Sequence, residues 1–157
     1  MKLLRLGSLG AAWLAAGFVC ARAVLAGDAP PPQLDALYAT GRLTLPLAAL
    51  ASRVTLAPGE DLRVVELARD AGTSQHLVAI RDREIPHRHA QHDLLVVMLR
   101  GHGSMRIGDD ERPVGEGSIL YVPRGSVHAF RNRSSEPAVA FAVYVPPFDG
   151  RDRIPAP

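Results

Sequence analysis

The sequence predicts an all-β fold in a single domain. Its 157 residues are enough to enclose one hydrophobic core and too few for two. From Arg53 onward, apolar and polar residues alternate with a period of two, which is typical of strands with one buried face. Turns rich in Gly, Pro, Ser and Asn separate these short runs, and no long helical pattern interrupts them. This combination indicates a β-sandwich or a β-barrel.

The first 26 residues have the pattern of a secretory signal peptide. A basic start precedes the uncharged apolar run Leu6–Val19, and Val24–Ala26 ends in small residues. We therefore expect a mature chain that begins near Gly27, is periplasmic or secreted, and has no membrane span once the signal is removed. The alternative is a lipoprotein anchored through Cys20, which is the only cysteine in the sequence.

The charge balance argues against a nucleic-acid partner. The full sequence has 18 Lys and Arg residues against 16 Asp and Glu residues, and its pI is about 9.1. Lys2, Arg5 and Arg22 would leave with the signal, so 15 basic residues would remain against 16 acidic ones. The mature chain is then not a basic protein of the kind that binds nucleic acid through its net charge.

Residues 27–52 are predicted to form a linker and an N-terminal arm. The proline-rich segment Gly27–Gln33 favours an extended linker. The apolar spacing within Gln33–Thr40 predicts a short helix. Leu43–Leu50 contains Pro46, which favours an edge strand or a turn there.

The barrel domain is predicted to span residues 53–147, and residues 148–157 form a C-terminal tail. Within the tail, Asp149–Arg153 is expected to be a solvated turn. The strands expected in the barrel are Leu62–Arg69, Gln75–Arg81, Leu94–Leu99, Ser104–Ile107, Arg112–Val114, Ser118–Val122, Val127–Arg131 and Ala138–Val145.

The histidines are the main chemical signal in the sequence. His87 and His89 are two residues apart, so both side chains project from the same face of a strand. His128 begins another strand after a turn that contains Pro123 and Gly125. If the two strands face each other, three imidazoles converge, and neutral imidazole is the commonest ligand of transition metals.

The same region resembles the two conserved motifs of the cupin superfamily. The second motif is complete: a Gly, five residues, Pro-x-Gly, two residues, a His, three residues and an Asn. In this sequence its residues are Gly117, Pro123, Gly125, His128 and Asn132. The resemblance implies a single jelly-roll barrel of the cupin kind, with a short helical or extended N-terminal arm.

The first motif is only partly present. His87-x-His89 is followed after three residues by Asp93, where the family usually has Glu, and Arg81 stands where the family usually has Gly. The resemblance implies metal ligands at His87, His89, Asp93 and His128. Regular strand alternation would instead favour His92, so the fourth ligand remains open among Asp93, His92 and water.

The resemblance implies one divalent metal ion, and this set of donors suits Fe, Mn, Ni, Cu or Zn. It also implies a small-molecule ligand, and it is compatible with a homodimer. The protein could be an enzyme of the dioxygenase, isomerase or decarboxylase class. It could also be a non-catalytic module that binds a small ligand or metal, or a metal-free structural cupin. No acid–base partner has a sequence signature, although Glu116 and Tyr121 lie near the second motif.

Overall fold

Two five-stranded antiparallel sheets form the body of the protein, and both contribute side chains to one apolar core. The structure is a computed structural model that describes residues 31–38 and 41–157. The predicted signal peptide and most of the predicted linker lie outside these residues. The strands are β1 (Gln33–Tyr38), β2 (Gly41–Pro46), β3 (Leu62–Arg69), β4 (Ser74–Ile80), β5 (His87–Arg88), β6 (Asp93–Arg100), β7 (His102–Ile107), β8 (Asp110–Gly115), β9 (Ile119–Val122), β10 (His128–Asn132), β11 (Ala138–Val145) and β12 (Ile154–Pro155), and the one described helix is α1 (Leu47–Ala51).

The order of the strands shows that the chain passes repeatedly between the sheets. One sheet has the order β3-β4-β11-β6-β9, and the other has the order β12-β5-β10-β7-β8. Strands that are neighbours in a sheet are therefore often distant in sequence, as in a jelly roll. The predicted all-β fold is confirmed, and each strand expected within residues 53–147 has a counterpart in the structure.

Alternating side chains explain how the first sheet is buried on both faces. Along β6, Leu94 and Met98 face the core between the sheets. Leu99 packs on the outer face against Leu50 of α1 and Val54, which follows it. The outer face thus has a second apolar cluster, which the N-terminal arm covers.

The helix predicted over Gln33–Thr40 is wrong. The described part of this segment is β1, which pairs with β2 in an antiparallel hairpin. The Asp35 carboxylate accepts hydrogen bonds from Arg42 Nη1 at 3.0 Å and from Thr44 Oγ1 at 3.1 Å across the hairpin. Gly41 has φ +125° and opens the second strand of a hairpin, where the sequence pattern suggests the end of a helix.

The segment predicted as an edge strand or turn, Leu43–Leu50, is partly strand and partly helix. The chain from Leu43 is extended as far as Pro46, as predicted, and α1 then begins at Leu47. Proline is tolerated at this boundary because its fixed φ suits the start of a helix. Among residues 31–38 and 41–157, no helix is long and apolar enough to span a bilayer.

Candidate metal centre

Strand pairing brings the three predicted histidine ligands together. His87 on β5 lies directly opposite His128 on β10 in the antiparallel register. The turn before β10 is fixed to the His89 segment, because the N–H of Gly125 donates to the carbonyl oxygen of His89 at 2.6 Å. Gly125 has φ +81°, a conformation that favours glycine. The second motif therefore both builds the turn and sets the position of His128.

The three imidazoles form a compact buried cluster. Each side chain offers one ring nitrogen, and these nitrogens lie within 4.8 Å of one another. The ring centroids of His87 and His128 are 4.3 Å apart, and the ring of His89 lies 5.2 Å from that of His87 and 5.4 Å from that of His128. All three residues are at most 3% exposed. Their nitrogens are thus close enough together, and far enough from solvent, to share one ion.

The hydrogen bonds of the cluster determine which ring nitrogens are available. The Nδ1 atom of His87 donates to the carbonyl of Ile85 at 2.9 Å, and that of His128 donates to the carbonyl of Ser126 at 3.1 Å. The Nδ1 atom of His89 donates to the carbonyl of Asp152. A carbonyl can only accept, so each ring carries its proton on Nδ1 and leaves a lone pair on Nε2.

The residues present fit a metal ion. The Nε2 atom of His89 is buried and has no hydrogen-bond partner among the described residues, and a buried polar atom without a partner is costly. Burial, followed by repulsion from His128, lowers the pKa of His87 to about 3. Burial likewise lowers the pKa of His89 to about 4. Both rings are therefore neutral at pH 7, the form in which imidazole binds metals.

The structure places Asp93 away from these nitrogens. Its Oδ1 atom accepts the backbone N–H of Arg124 at 2.8 Å, and its Oδ2 atom accepts Nη2 of the same arginine at 2.6 Å. The Arg124 hydrogen bonds lower the pKa of the Asp93 carboxyl. Asp93 belongs to neither of the two groups of buried residues, among those described, that could hold a metal. The carboxylate is thus engaged in an ion pair outside the histidine cluster.

His92 and Asp152 form the second of these groups together with His89. The Nδ1 atom of His92 is 2.6 Å from Oδ2 of Asp152, and its Nε2 atom is 3.3 Å from the carbonyl oxygen of Pro147. The carboxylate of Asp152 also accepts the N–H groups of Ala90 at 2.9 Å and Gln91 at 2.7 Å. Both ring nitrogens of His92 therefore face oxygen atoms of the protein.

The prediction of a solvated turn at Asp149–Arg153 is wrong at Asp152, which is only 8% exposed. This residue holds the chain segment that follows His89 and, through its carbonyl, the ring of His89 itself. The tail then continues into β12, which pairs with β5 at His87 and Arg88. Sequence spacing carries no signal for this contact, because some sixty residues separate Asp152 from its partners.

A cavity of about 80 Å³ adjoins the histidine cluster between the two sheets. Its walls are mainly aliphatic and aromatic, and Tyr144 and Phe148 stack there with a centroid distance of 4.7 Å. The charged side chains at its edge are Glu84 and Arg153, whose closest atoms are 3.9 Å apart. Burial raises the pKa of Glu84. Sequence reasoning identified neither residue.

The other motif residues have structural positions. Asn132 holds its turn, because its Nδ2 atom donates to the carbonyls of Arg81 at 2.9 Å and Glu136 at 2.8 Å. The side chain of Arg81 donates to the carbonyl of Glu60 at 3.0 Å, so the residue that replaces the family glycine extends along the surface. Glu116 and Tyr121 are exposed and do not line the cavity.

Comparison with known proteins points to the same family that the two sequence motifs resemble. The family described as "Cupin domain" matches residues 76–144. An uncharacterized protein of Aquifex aeolicus (strain VF5) is 37% identical over 95 residues, which cover 60% of this chain and 78% of that protein.

Solved structures with similar folds are much more distant in sequence. TT1209 from Thermus thermophilus has a TM-score of 0.56 at 23% identity and covers 62% of this chain and 94% of its own. A Klebsiella pneumoniae protein with a double-stranded β-helix domain has a TM-score of 0.56 at 15% identity, with coverages of 67% and 93%. Streptomyces PAC13 with uridine has a TM-score of 0.51 at 15% identity, with coverages of 61% and 77%. At these identities the likeness shows the fold alone.

Proposed function

We propose that this member of the cupin family binds one divalent metal ion through His87, His89 and His128 and acts on a small molecule in the adjoining cavity. The observation that carries this proposal is the set of inward Nε2 lone pairs, and the Nε2 atom of His89 is buried without a hydrogen-bond partner among the described residues. Three neutral imidazoles suit Fe, Mn, Ni, Cu or Zn. When bound, such an ion can polarise a ligand oxygen or activate water.

The residues of the chain have separable roles in this proposal. The backbone carbonyls of Ile85, Ser126 and Asp152 fix the orientation of the three rings. The apolar walls of the cavity exclude water from the site and hold the body of the small molecule. Glu84 is the buried carboxyl closest to Arg153 in the cavity, and it can hold or release a proton there. This group favours turnover over simple capture of a ligand.

Metal analysis of the native protein tests the first part of the proposal. We expect about one metal ion per chain after purification, the stoichiometry of a mononuclear site. The metal-loaded protein is then assayed for oxygen uptake and for turnover against a panel of small molecules. Absence of metal from native protein, together with failure to bind any of the five ions in titration, contradicts the proposal. Metal binding without turnover supports a non-catalytic binding module.

Export is part of the same proposal and is supported only by the sequence of residues 1–26. We propose that the protein acts in the periplasm or outside the cell. N-terminal sequencing of native protein should give a chain that starts near Gly27. A chain that starts at a lipid-modified Cys20 would show a membrane-anchored protein instead.

A further inference from the structure

Arg153 lies at the cavity without a close counter-charge. Its nearest acidic atom is Oε1 of Glu84 at 3.9 Å, which is longer than a hydrogen bond. Among residues 31–38 and 41–157, its side chain has no other ion pair and no hydrogen bond. The side chain is 36% exposed, so it reaches both the cavity and the solvent. A guanidinium at an apolar wall is costly to desolvate unless it has a partner.

The backbone around Arg153 is held firmly in place. On one side, the carboxylate of Asp152 is fixed by the N–H groups of Ala90 and Gln91. On the other side, Ile154 pairs with Arg88 in β12. The anchored neighbours fix where the backbone of Arg153 lies. Its guanidinium makes no hydrogen bond with the described residues.

Glu84 is an incomplete partner for this arginine. Its Oε2 atom already accepts the backbone N–H of Phe130 at 3.2 Å. Its side chain is only 12% exposed, and burial raises the pKa of its carboxyl. The guanidinium therefore retains most of its capacity to bind an anion.

We propose that the cavity takes a small molecule with an apolar body and a carboxylate, and that Arg153 binds the carboxylate. The inference rests on the proposed function, because the same cavity adjoins the histidine cluster. The planar guanidinium matches a carboxylate with two parallel hydrogen bonds. Among the described residues that line this cavity, Arg153 is the only Lys or Arg, which suits a monoanion better than a phosphate. The aliphatic and aromatic walls suit the apolar body.

The test compares acids with their uncharged amides. Butyrate and benzoate, each beside its amide, are titrated by ligand-observed NMR into the metal-loaded protein. Wild type should bind each acid more tightly than its amide. Arg153→Gln should weaken binding of the acids by about tenfold or more, because a charged hydrogen bond is lost, and leave the amides unchanged. Arg151→Gln is the matched control, since Arg151 is exposed and does not line the cavity.

A second variant keeps the test decisive if Arg153→Gln folds poorly. Glu84→Gln retains an oxygen for the N–H of Phe130 and removes the acid that competes for Arg153, so it should bind the acids at least as tightly as wild type. A weaker affinity there would overturn the inference. So would equal binding of acid and amide by wild type, or unchanged acid binding by Arg153→Gln.

Metal content, measured for every sample, separates this inference from the proposed function. Acid binding that depends on Arg153 in a protein that takes up no metal would support the carboxylate site and refute the metal site. Normal metal content with no binding of either acid would overturn the carboxylate site and leave the metal site in place.

Discussion

His87, His89 and His128 form one buried cluster, and His89, His92 and Asp152 form a second cluster beside it. In both, the potential ligand atoms lie within 4.8 Å of one another, and every member is buried. Distance and burial alone would therefore rate the two clusters as equally good metal sites. His89 is shared, so at most one cluster can use its Nε2 atom at a time.

The two clusters differ in what their polar atoms contact. In the first, the Nδ1 atoms donate outward to backbone carbonyls, and no described bond joins one imidazole to another. In the second, His92 and Asp152 bond to each other at 2.6 Å, and the carboxylate also accepts two backbone N–H groups. A lone pair that is already used inside the protein is not available to an ion. The comparison favours the first cluster as the metal site that we propose, and support of the fold as the role of the second.

Loss of one histidine from each cluster should give the largest contrast. His128→Ala removes one of the three Nε2 lone pairs of the first cluster. His92→Ala removes none of them and deletes only the ring that bonds to Asp152. Changes outside the ligand set usually cost about 10–100-fold in metal affinity. We expect His92→Ala to lie at or below the low end of that range and His128→Ala to exceed about 100-fold, as measured by metal titration. His102→Ala is the control, because His102 is exposed.

The double variant His87→Ala/His128→Ala should bind metal no worse than either single variant, because the first loss already ruins the site. If His92→Ala loses as much metal as His128→Ala, the second cluster takes part in coordination and the comparison fails.

Loss of the Asp152 carboxylate from the second cluster should mainly lower the free energy of unfolding. Asp152→Ala deprives two backbone N–H groups and the His92 ring of their acceptor. We expect a loss of about 2–4 kcal/mol in the free energy of unfolding, measured by urea denaturation without metal. The carbonyl of residue 152 that accepts from His89 is kept, so about one metal per chain should still bind.

Asp109→Ala is the control for this change, since Asp109 is an exposed turn residue and its loss should cost little. Unchanged stability of Asp152→Ala combined with loss of its metal would reverse the roles of the two clusters.

Sequence reasoning identified all three histidines of the first cluster, and of the second cluster it identified His89 and His92 but not Asp152. Pro123, Gly125 and His128 act through a local turn, so their spacing carries the information that places the ring. Asp152 acts across sixty residues from His92, and its chain segment looks like any polar tail. Glu84 and Arg153 are even farther apart in sequence and meet only because β12 adds to the sheet beside β5. No local pattern reports such a contact.

The N-terminal arm was mispredicted for a different reason. The apolar spacing from Leu34 fits one turn of helix and also fits a short strand, so the period alone cannot decide between them. The pairing of β1 with β2 decides it, and this pairing includes the cross-strand contacts of Asp35 with Arg42 and Thr44. Tertiary packing of Leu34 on the outer cluster then favours the hairpin.

The smallest expected effect concerns Asp93, the acidic residue that the sequence predicts as a ligand. Its carboxylate pairs with Arg124 at 2.6 Å, and the side chains are 21% and 53% exposed. Asp93→Asn should therefore leave metal content unchanged. At neutral pH it should lower the melting temperature slightly, because one ion pair near the surface is lost. Loss of metal as complete as that in His128→Ala would instead show that Asp93 is the fourth ligand.

The pH dependence of this small effect can be derived from the Asp93–Arg124 pair. Hydrogen bonds from Arg124 hold the pKa of Asp93 below its ordinary value, so folding favours the carboxylate. The stabilisation is fully present above the unfolded pKa of about 3.9 and is lost as the pH falls through the lower folded value. The difference in melting temperature between wild type and Asp93→Asn should therefore be constant from pH 7 to about pH 5 and shrink toward about pH 2.

Asp110→Asn is the matched control for this prediction. Asp110 pairs with Arg112, but the two side chains are 77% and 74% exposed, so we expect no measurable difference in melting temperature from wild type. A difference for Asp93→Asn that grows as the pH falls would contradict the pairing with Arg124.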